Sequence, residues 1–201
     1  MDPVLLGWPS EGPTLRLDHR RFGYAGKFVM SNTGKAVVYA PADGGTDRPD
    51  RSDTAAGDTD EPFDDDVLAA AAFNADRTDA DRLWIRYVTV RDDRRGEGLG
   101  PTLCAFLAER ATERGFETLS IAVNNPFAYE ALYRAGFAFS GDETGLAELV
   151  LARPAAEPAR DRSTKTYQDG LDRYRERDLS AAEASFLDGK CGAAPPDPSP
   201  E

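Results

Sequence analysis

Cysteine, histidine and lysine are scarce in this 201-residue chain, with two, one and four residues. Cys104 and Cys191 are far apart, and His19 is the lone imidazole. No disulfide framework and no zinc-type ligand cluster can be built from that set, so no metal is expected. Long apolar runs are absent too. None approaches the ~20 residues that a membrane span needs. The start, Met1-Asp2-Pro3-Val4, has none of the basic residues that open a secretory leader. A cytoplasmic protein that does not bind membranes is the expectation.

Positive charge is also in short supply. Asp and Glu total 36 against 24 Lys and Arg, a net charge of −12. The resulting field repels polyanions, so nucleic acid is not expected as a partner. Two origins fit this composition. In a high-salt cytosol, such as a halophilic archaeon's, dense short carboxylates stay hydrated while salt screens their mutual repulsion. A GC-rich genome would also favour Asp, Ala, Gly and Arg. The first is the working expectation.

Hydrophobic residues make up 40% of the chain, enough for a packed core. Strand-like runs occur at Thr14–Asp18, Lys27–Met30 and Lys35–Tyr39, the last two joined by the turn Ser31-Asn32-Thr33-Gly34. Residues 41–66 then turn to Asp, Gly, Thr and Pro and read as an acidic flexible loop. Val67–Asn74 and Leu83–Val90 form a predicted hairpin, the second strand expected to be covered on both faces. A Gly-rich loop follows, then a helix with Leu99, Leu103, Phe106 and Leu107 on one side, closed near Gly115. Thr118–Val123 is a further strand. Pro126 opens a second helix that ends at Gly136, and Phe137–Phe139 pairs with Glu148–Leu151. From residue 67 the order is β-β-α-β-α-β-β, an α+β architecture with a parallel crossover. A linker over 154–166 leads to a helical pair over 167–188, with Ser180 as an N-cap, and a tail over 189–201 expected to be disordered.

Arg95-Gly96-Glu97-Gly98-Leu99-Gly100 holds three glycines at alternate positions directly before a helix. Such a loop can turn several backbone N–H groups onto one anion, with the positive end of the helix behind them. A side chain at Gly98 or Gly100 would obstruct a ligand there. The Walker A and dinucleotide patterns both fail, because their Lys or third Gly is missing. A plain strand-to-helix turn is the bland alternative.

The loop matches the Arg/Gln-x-x-Gly-x-Gly/Ala signature of the GNAT superfamily of N-acetyltransferases. The block Asn125-Pro126-Phe127-Ala128-Tyr129-Glu130-Ala131-Leu132-Tyr133-Arg134-Ala135-Gly136-Phe137 is similar to a second motif of that family. The resemblance covers Val67 to Leu151 and implies a mixed, mostly antiparallel central sheet with flanking helices, spanning residues 1–153. Two helices that the family usually carries between its first strands are not found here.

What the resemblance implies is transfer of an acetyl group from acetyl-CoA to an amine on a small molecule, peptide or protein, in a ternary complex. Backbone N–H groups of Arg95, Gly96, Gly98, Leu99 and Gly100 would hold the pyrophosphate. Val88 and Val90 would pair with the pantetheine arm, and Asn124 or Asn125 would bond its amides. Both asparagines could instead be turn and cap. Tyr133 would protonate the leaving thiolate, with Tyr129 as the weaker alternative and a core tyrosine as the bland reading. The base is not legible: Tyr87, Glu148 or a water could serve. Cys104 reads as a core residue and His19 as a surface one. A homodimer is compatible with the resemblance. The competing class is a non-catalytic CoA-binding module that acts through partners.

Overall fold

A computed structural model describes residues 1–9, 12–41 and 63–198. The described strands are β1 (Pro3–Gly7), β2 (Gly34–Tyr39), β3 (Val67–Ala75), β4 (Arg82–Val90), β5 (Thr118–Val123), β6 (Ala138–Glu143) and β7 (Leu149–Pro154). The helices are α1 (Leu99–Glu113), α2 (Pro126–Arg134), α3 (Thr164–Arg175) and α4 (Ala181–Asp188). The sheet is mixed, with strand order β1-β2-β3-β4-β5-β7-β6. The α+β class and the element order from residue 67 are as expected. The acidic loop falls mostly outside the described residues.

Two compact units divide the chain, one of Met1–Ala75 with Ile85–Leu103, the other of Asp76–Trp84 with Cys104–Glu201. In the first, β1, β2 and β3 are antiparallel neighbours, with Val4 opposite Val37 and Val38 opposite Ala69. The Ala-rich β3 is buried from Val67 through Phe73, so here β3 is the strand covered on both faces. β4 instead alternates, with Leu83, Ile85 and Thr89 buried and the residues between them partly open. That corrects the expectation for Leu83–Val90. Gly34 is obligatory, because a Cβ there would lie 2.5 Å from the Phe73 ring.

Neither Thr14–Asp18 nor Lys27–Met30 is a strand. Leu15 and Leu17 are buried as their alternation requires, but the backbone around them is bonded within the loop rather than to a ladder. Leu15 N–H donates to the Phe28 carbonyl at 3.0 Å, and Arg16 N–H to the Asp64 carboxylate at 2.8 Å. Residues Ala25–Lys27 form a 3-10 turn. Leu15, Leu17, Phe22, Ala25 and Phe28 pack with Val37, Tyr39, Val67, Ala70 and Ala72 in one cluster. Burying each leucine or phenylalanine contributes about 1.5–3 kcal/mol. An irregular segment thus does the covering that helices would otherwise provide. The Lys35 ammonium, fully buried, closes the turn by donating to the Met30 carbonyl at 2.7 Å and to the Thr33 carbonyl and hydroxyl at 2.9 and 2.6 Å.

In the second unit β7 lies between β5 and β6, antiparallel to both. Gly115, with φ 88°, ends α1, and Phe116 N–H returns to the Ala111 carbonyl at 3.0 Å. Gly136, with φ 83°, ends α2 in the same manner. Ser163 caps α3, and Ser180 with Glu183 forms a complete capping box on α4. The segment after α4 differs from the expected loose tail as far as residue 198. Gln168 donates to the carbonyls of Lys190 and Ala193 at 2.9 and 2.8 Å, and Arg162 to that of Pro196 at 2.5 Å.

Candidate active site

In the first unit, β4 delivers the chain to the Gly-rich loop. Arg91 N–H donates to the Leu68 carbonyl and Asp92 N–H to that of Arg21, both at 2.9 Å, which pins the loop's approach. Gly96 and Gly98 have φ of 87° and 81°, a region that L side chains rarely adopt. A Cβ at either would meet nothing within 4 Å, so the loop is open where it turns. At Gly100 a Cβ would make an ordinary contact within the protein, 3.6 Å from Val90 Cγ2.

The arginines beside the loop are occupied locally. Arg91 is bidentate on Asp93 at 2.7 and 3.2 Å, Arg95 meets Asp92 at 2.6 Å, and Arg94 meets Glu97 at 3.3 Å. Three cations against three carboxylates leave little net charge, and Arg91 holds the Asp93 carboxyl below its ordinary range. Anion attraction therefore falls to the backbone. The first-turn N–H groups of α1 have no intrahelical acceptor, and the helix adds roughly half a positive charge at that end. Leu99, nearly buried, anchors the turn, while Val88 and Val90 are half-buried on β4.

In the second unit, Asn125 is the N-cap of α2, its Oδ1 accepting Ala128 N–H at 2.9 Å. Its Nδ2 donates to Asn124 Oδ1 at 3.3 Å. The exposed Asn124 keeps its side-chain amide donor uncommitted among the described residues, while its carbonyl accepts from Arg177 at 3.3 Å. Of the two, Asn124 has the side chain available to a ligand.

Tyr133 is fully enclosed. Its oxygen accepts Phe139 N–H at 3.1 Å and lies 3.3 Å from the Tyr129 hydroxyl, which also reaches the Tyr167 carbonyl at 3.2 Å. The Tyr167 ring stands edge-on at 4.8 Å, and the Arg162 guanidinium lies 5.5 Å from the Tyr133 ring centre. Burial raises the pKa of Tyr133, with the Phe139 N–H bond pulling the other way, so the phenol keeps its proton. Tyr129 is raised as well, by burial first and then by its tyrosine neighbours.

This aromatic cage was not anticipated from the sequence. Tyr129 and Tyr133 share a face of α2 by i, i+4 spacing, and Tyr167, Gly170 and Tyr174 share one of α3. Gly170 is the overlooked signal, since a Cβ there would lie 2.1 Å from the Tyr129 oxygen. Tyr174 donates to the Val123 carbonyl at 3.0 Å, tying α3 to the end of β5. Beneath the cage the buried Glu130 meets Arg134 at 2.5 Å, Lys190 at 2.6 Å and the Tyr167 hydroxyl at 3.2 Å.

Other candidates fall into place singly. Cys104 is buried and its thiol pushed up to about 12 by that burial, which leaves no thiolate near neutral pH. His19 is exposed. Glu148 accepts from the Thr144 hydroxyl at 3.3 Å in the β6–β7 turn. No group of His, Cys, Asp and Glu among the described residues is arranged to hold a metal, and no described helix is long and apolar enough to cross a membrane.

Residues 45–137, which include the Gly-rich loop and α2, match a family model. The match is to the acetyltransferase (GNAT) family. Among solved structures the chain is similar to nourseothricin acetyltransferase, at 22% identity over 63% of this chain and 69% of that one, with a TM-score of 0.44. A GCN5-related N-acetyltransferase from Kribbella flavida gives 21%, 61% and 67%, with a TM-score of 0.42. The paia N-acetyltransferase from Thermoplasma acidophilum, solved in complex with coenzyme A, gives 14%, 46% and 57%, with a TM-score of 0.39. No curated protein matches the chain. The GNAT match takes in the motif residues Val88 to Tyr133 of both units.

Proposed function

We propose that the chain is a GNAT acetyltransferase that moves an acetyl group from acetyl-CoA to an amine acceptor, directly within a ternary complex. The observation that carries this reading is the pair Gly96 and Gly98, both in the left-handed region, open to approach, and leading into a helix N-terminus inside the matched segment. N–H groups from Arg95 to Gly100 hold the pyrophosphate. Backbone groups of Val88 and Val90 pair with the pantetheine arm, and the Asn124 amide donates to it while Asn125 shapes the turn. Aligning the amine with the thioester supplies much of the acceleration. The high thiol pKa of Cys104 supports direct transfer over an acyl-cysteine route.

Tyr133, as a protonated phenol, is the proposed acid for the departing thiolate. Its enclosure by Tyr129 and Tyr167 is also the observation that favours a second reading, a CoA-binding module without turnover. Thiol release from acetyl-CoA across a panel of amines in molar KCl separates the two. Release that saturates with one amine supports the enzyme. Thermal stabilisation by acetyl-CoA without any release supports the module, and no stabilisation sinks both. The cytoplasmic setting, the high-salt origin and a homodimer belong to the same proposal.

A further inference from the structure

Lysine is so rare in this chain that the use of each one can be followed. Lys35 is spent inside the fold on three acceptors. Lys165 is paired with Asp169 and Lys190 with Glu130, both at 2.6 Å. Lys27 is exposed and, among the described residues, meets no carboxylate, in a protein of net charge −12. Its ammonium lies instead 5.9 Å from the centre of the Tyr87 ring. Against the same ring, at 5.9 Å and tilted by 35°, stands Tyr24.

Tyr24 is an expensive residue for its position. It holds φ 59° and ψ 18°, the left-handed region that glycine or asparagine occupies at less cost. The ring recovers little burial in return, since the residue is 58% exposed. Neither the Tyr24 nor the Tyr87 hydroxyl has a hydrogen-bond partner among the described residues. Tyr87 itself is held firmly, because its body packs on the core cluster beneath. It also stands directly before Val88 on β4, the strand proposed to pair with the pantetheine arm. Val29 and Met30, exposed by 49% and 45%, continue the same segment.

We infer that Tyr24, Lys27 and Tyr87 form the acceptor-recognition site, and that the acceptor is a small zwitterionic amine with an apolar or aromatic body and a carboxylate. The inference rests on the acetyltransferase reading above. Lys27 binds the carboxylate, aided by the unpartnered phenol hydroxyls, and the exposed Tyr24 ring covers the body of the molecule. Charge complementarity selects this class. A simple cationic amine is drawn to the abundant surface carboxylates and is repelled at Lys27, whereas a carboxylate finds there a cation that no described carboxylate pairs with.

The test compares L-phenylalanine with phenethylamine, which lacks only the carboxylate, using the full-length wild type, Lys27→Glu and Tyr24→Gly. Thiol release gives kcat/KM for each amine, and calorimetric titration with the same two compounds gives binding without turnover. The wild type should favour phenylalanine at least 10-fold, Lys27→Glu should reverse the preference, and Tyr24→Gly, which relieves the backbone, should weaken both compounds without loss of fold. Equal use of the two amines, or a ratio unmoved by Lys27→Glu, overturns the inference. If nothing turns over, Lys27-dependent binding of phenylalanine upholds the site while the enzyme reading fails. Absence of that binding overturns the site, and acetyl-CoA stabilisation reports on the donor side independently.

Discussion

Gly170→Ala puts the docking of α3 on α2 to a quantitative test. The added Cβ would lie 2.1 Å from the Tyr129 oxygen, 2.5 Å from its Cζ and 2.8 Å from its Cε2. Ordinary contact begins near 3.4 Å, so α3 or the Tyr129 ring must move by roughly 1 Å. Tyr129 has nowhere to go. Its ring is stacked on Tyr167 at 5.7 Å and flanked by Tyr133 at 5.0 Å and Tyr174 at 5.7 Å, and its hydroxyl is bonded. Intrinsic helix propensity favours alanine by about 1 kcal/mol. Overpacking costs about 1–3 kcal/mol, and disturbing the hydroxyl bonds adds about 0.5–1.5 kcal/mol. The steric side prevails, for a net loss of about 1–3 kcal/mol. In a chain of this length that lowers Tm by about 2–12 °C. Thermal unfolding with amide exchange across Thr164–Arg175 measures it, and Gly145→Ala, whose Cβ would meet nothing within 4 Å, is the control. A Gly170→Ala protein with an equal or higher Tm would refute the close-packed dock.

Tyr133→Phe should lower kcat by about 10²–10⁴, the usual worth of a general acid, while acetyl-CoA affinity holds. Because Phe139 N–H loses its acceptor, a stability loss of about 1–3 kcal/mol accompanies it. Unchanged turnover would remove Tyr133 as the acid. Gly98→Ala should weaken acetyl-CoA binding, since φ of 81° strains any L side chain; Gly100→Ala, whose Cβ makes only an ordinary contact within the protein, should weaken it less. Equal effects in titrations of the two variants would contradict the open-loop geometry. Burial holds the Lys35 pKa at about 8, below the ~10.4 of a free lysine. The unfolded chain then binds more protons between those values, so this contribution to stability rises as pH climbs through that window. Lys35→Met should abolish the rise, and urea midpoints of the two proteins that run parallel from pH 8 to 10 would refute it. Finally, Tm should increase steeply with KCl if the acidic surface is adapted to high salt. A salt-independent Tm would leave base composition as its cause.

Signals carried by a few adjacent residues were legible in the sequence. The positive φ that the Gly-rich loop, Gly115 and Gly136 require, the caps at Asn125 and Ser180, and the apolar runs of β3, β5 and β7 each act over one turn or one strand. Local sterics and hydrogen bonding decide them before the chain packs. The order of elements from residue 67 follows for that reason. Tertiary structure alone decided the rest. Leu15 and Leu17 alternate as a strand would, but their neighbours in space supply loop carbonyls and a carboxylate instead of a ladder. β1 begins with a proline and acquires its register only from β2. The enclosure of Tyr133 depends on Tyr167 and Gly170, more than thirty residues onward, and the burial of Lys35 depends on carbonyls that no periodicity announces. The motif marked where acetyl-CoA is proposed to bind; only packing between distant segments showed that Tyr133 is caged and that Lys27 meets a tyrosine ring but no carboxylate among the described residues.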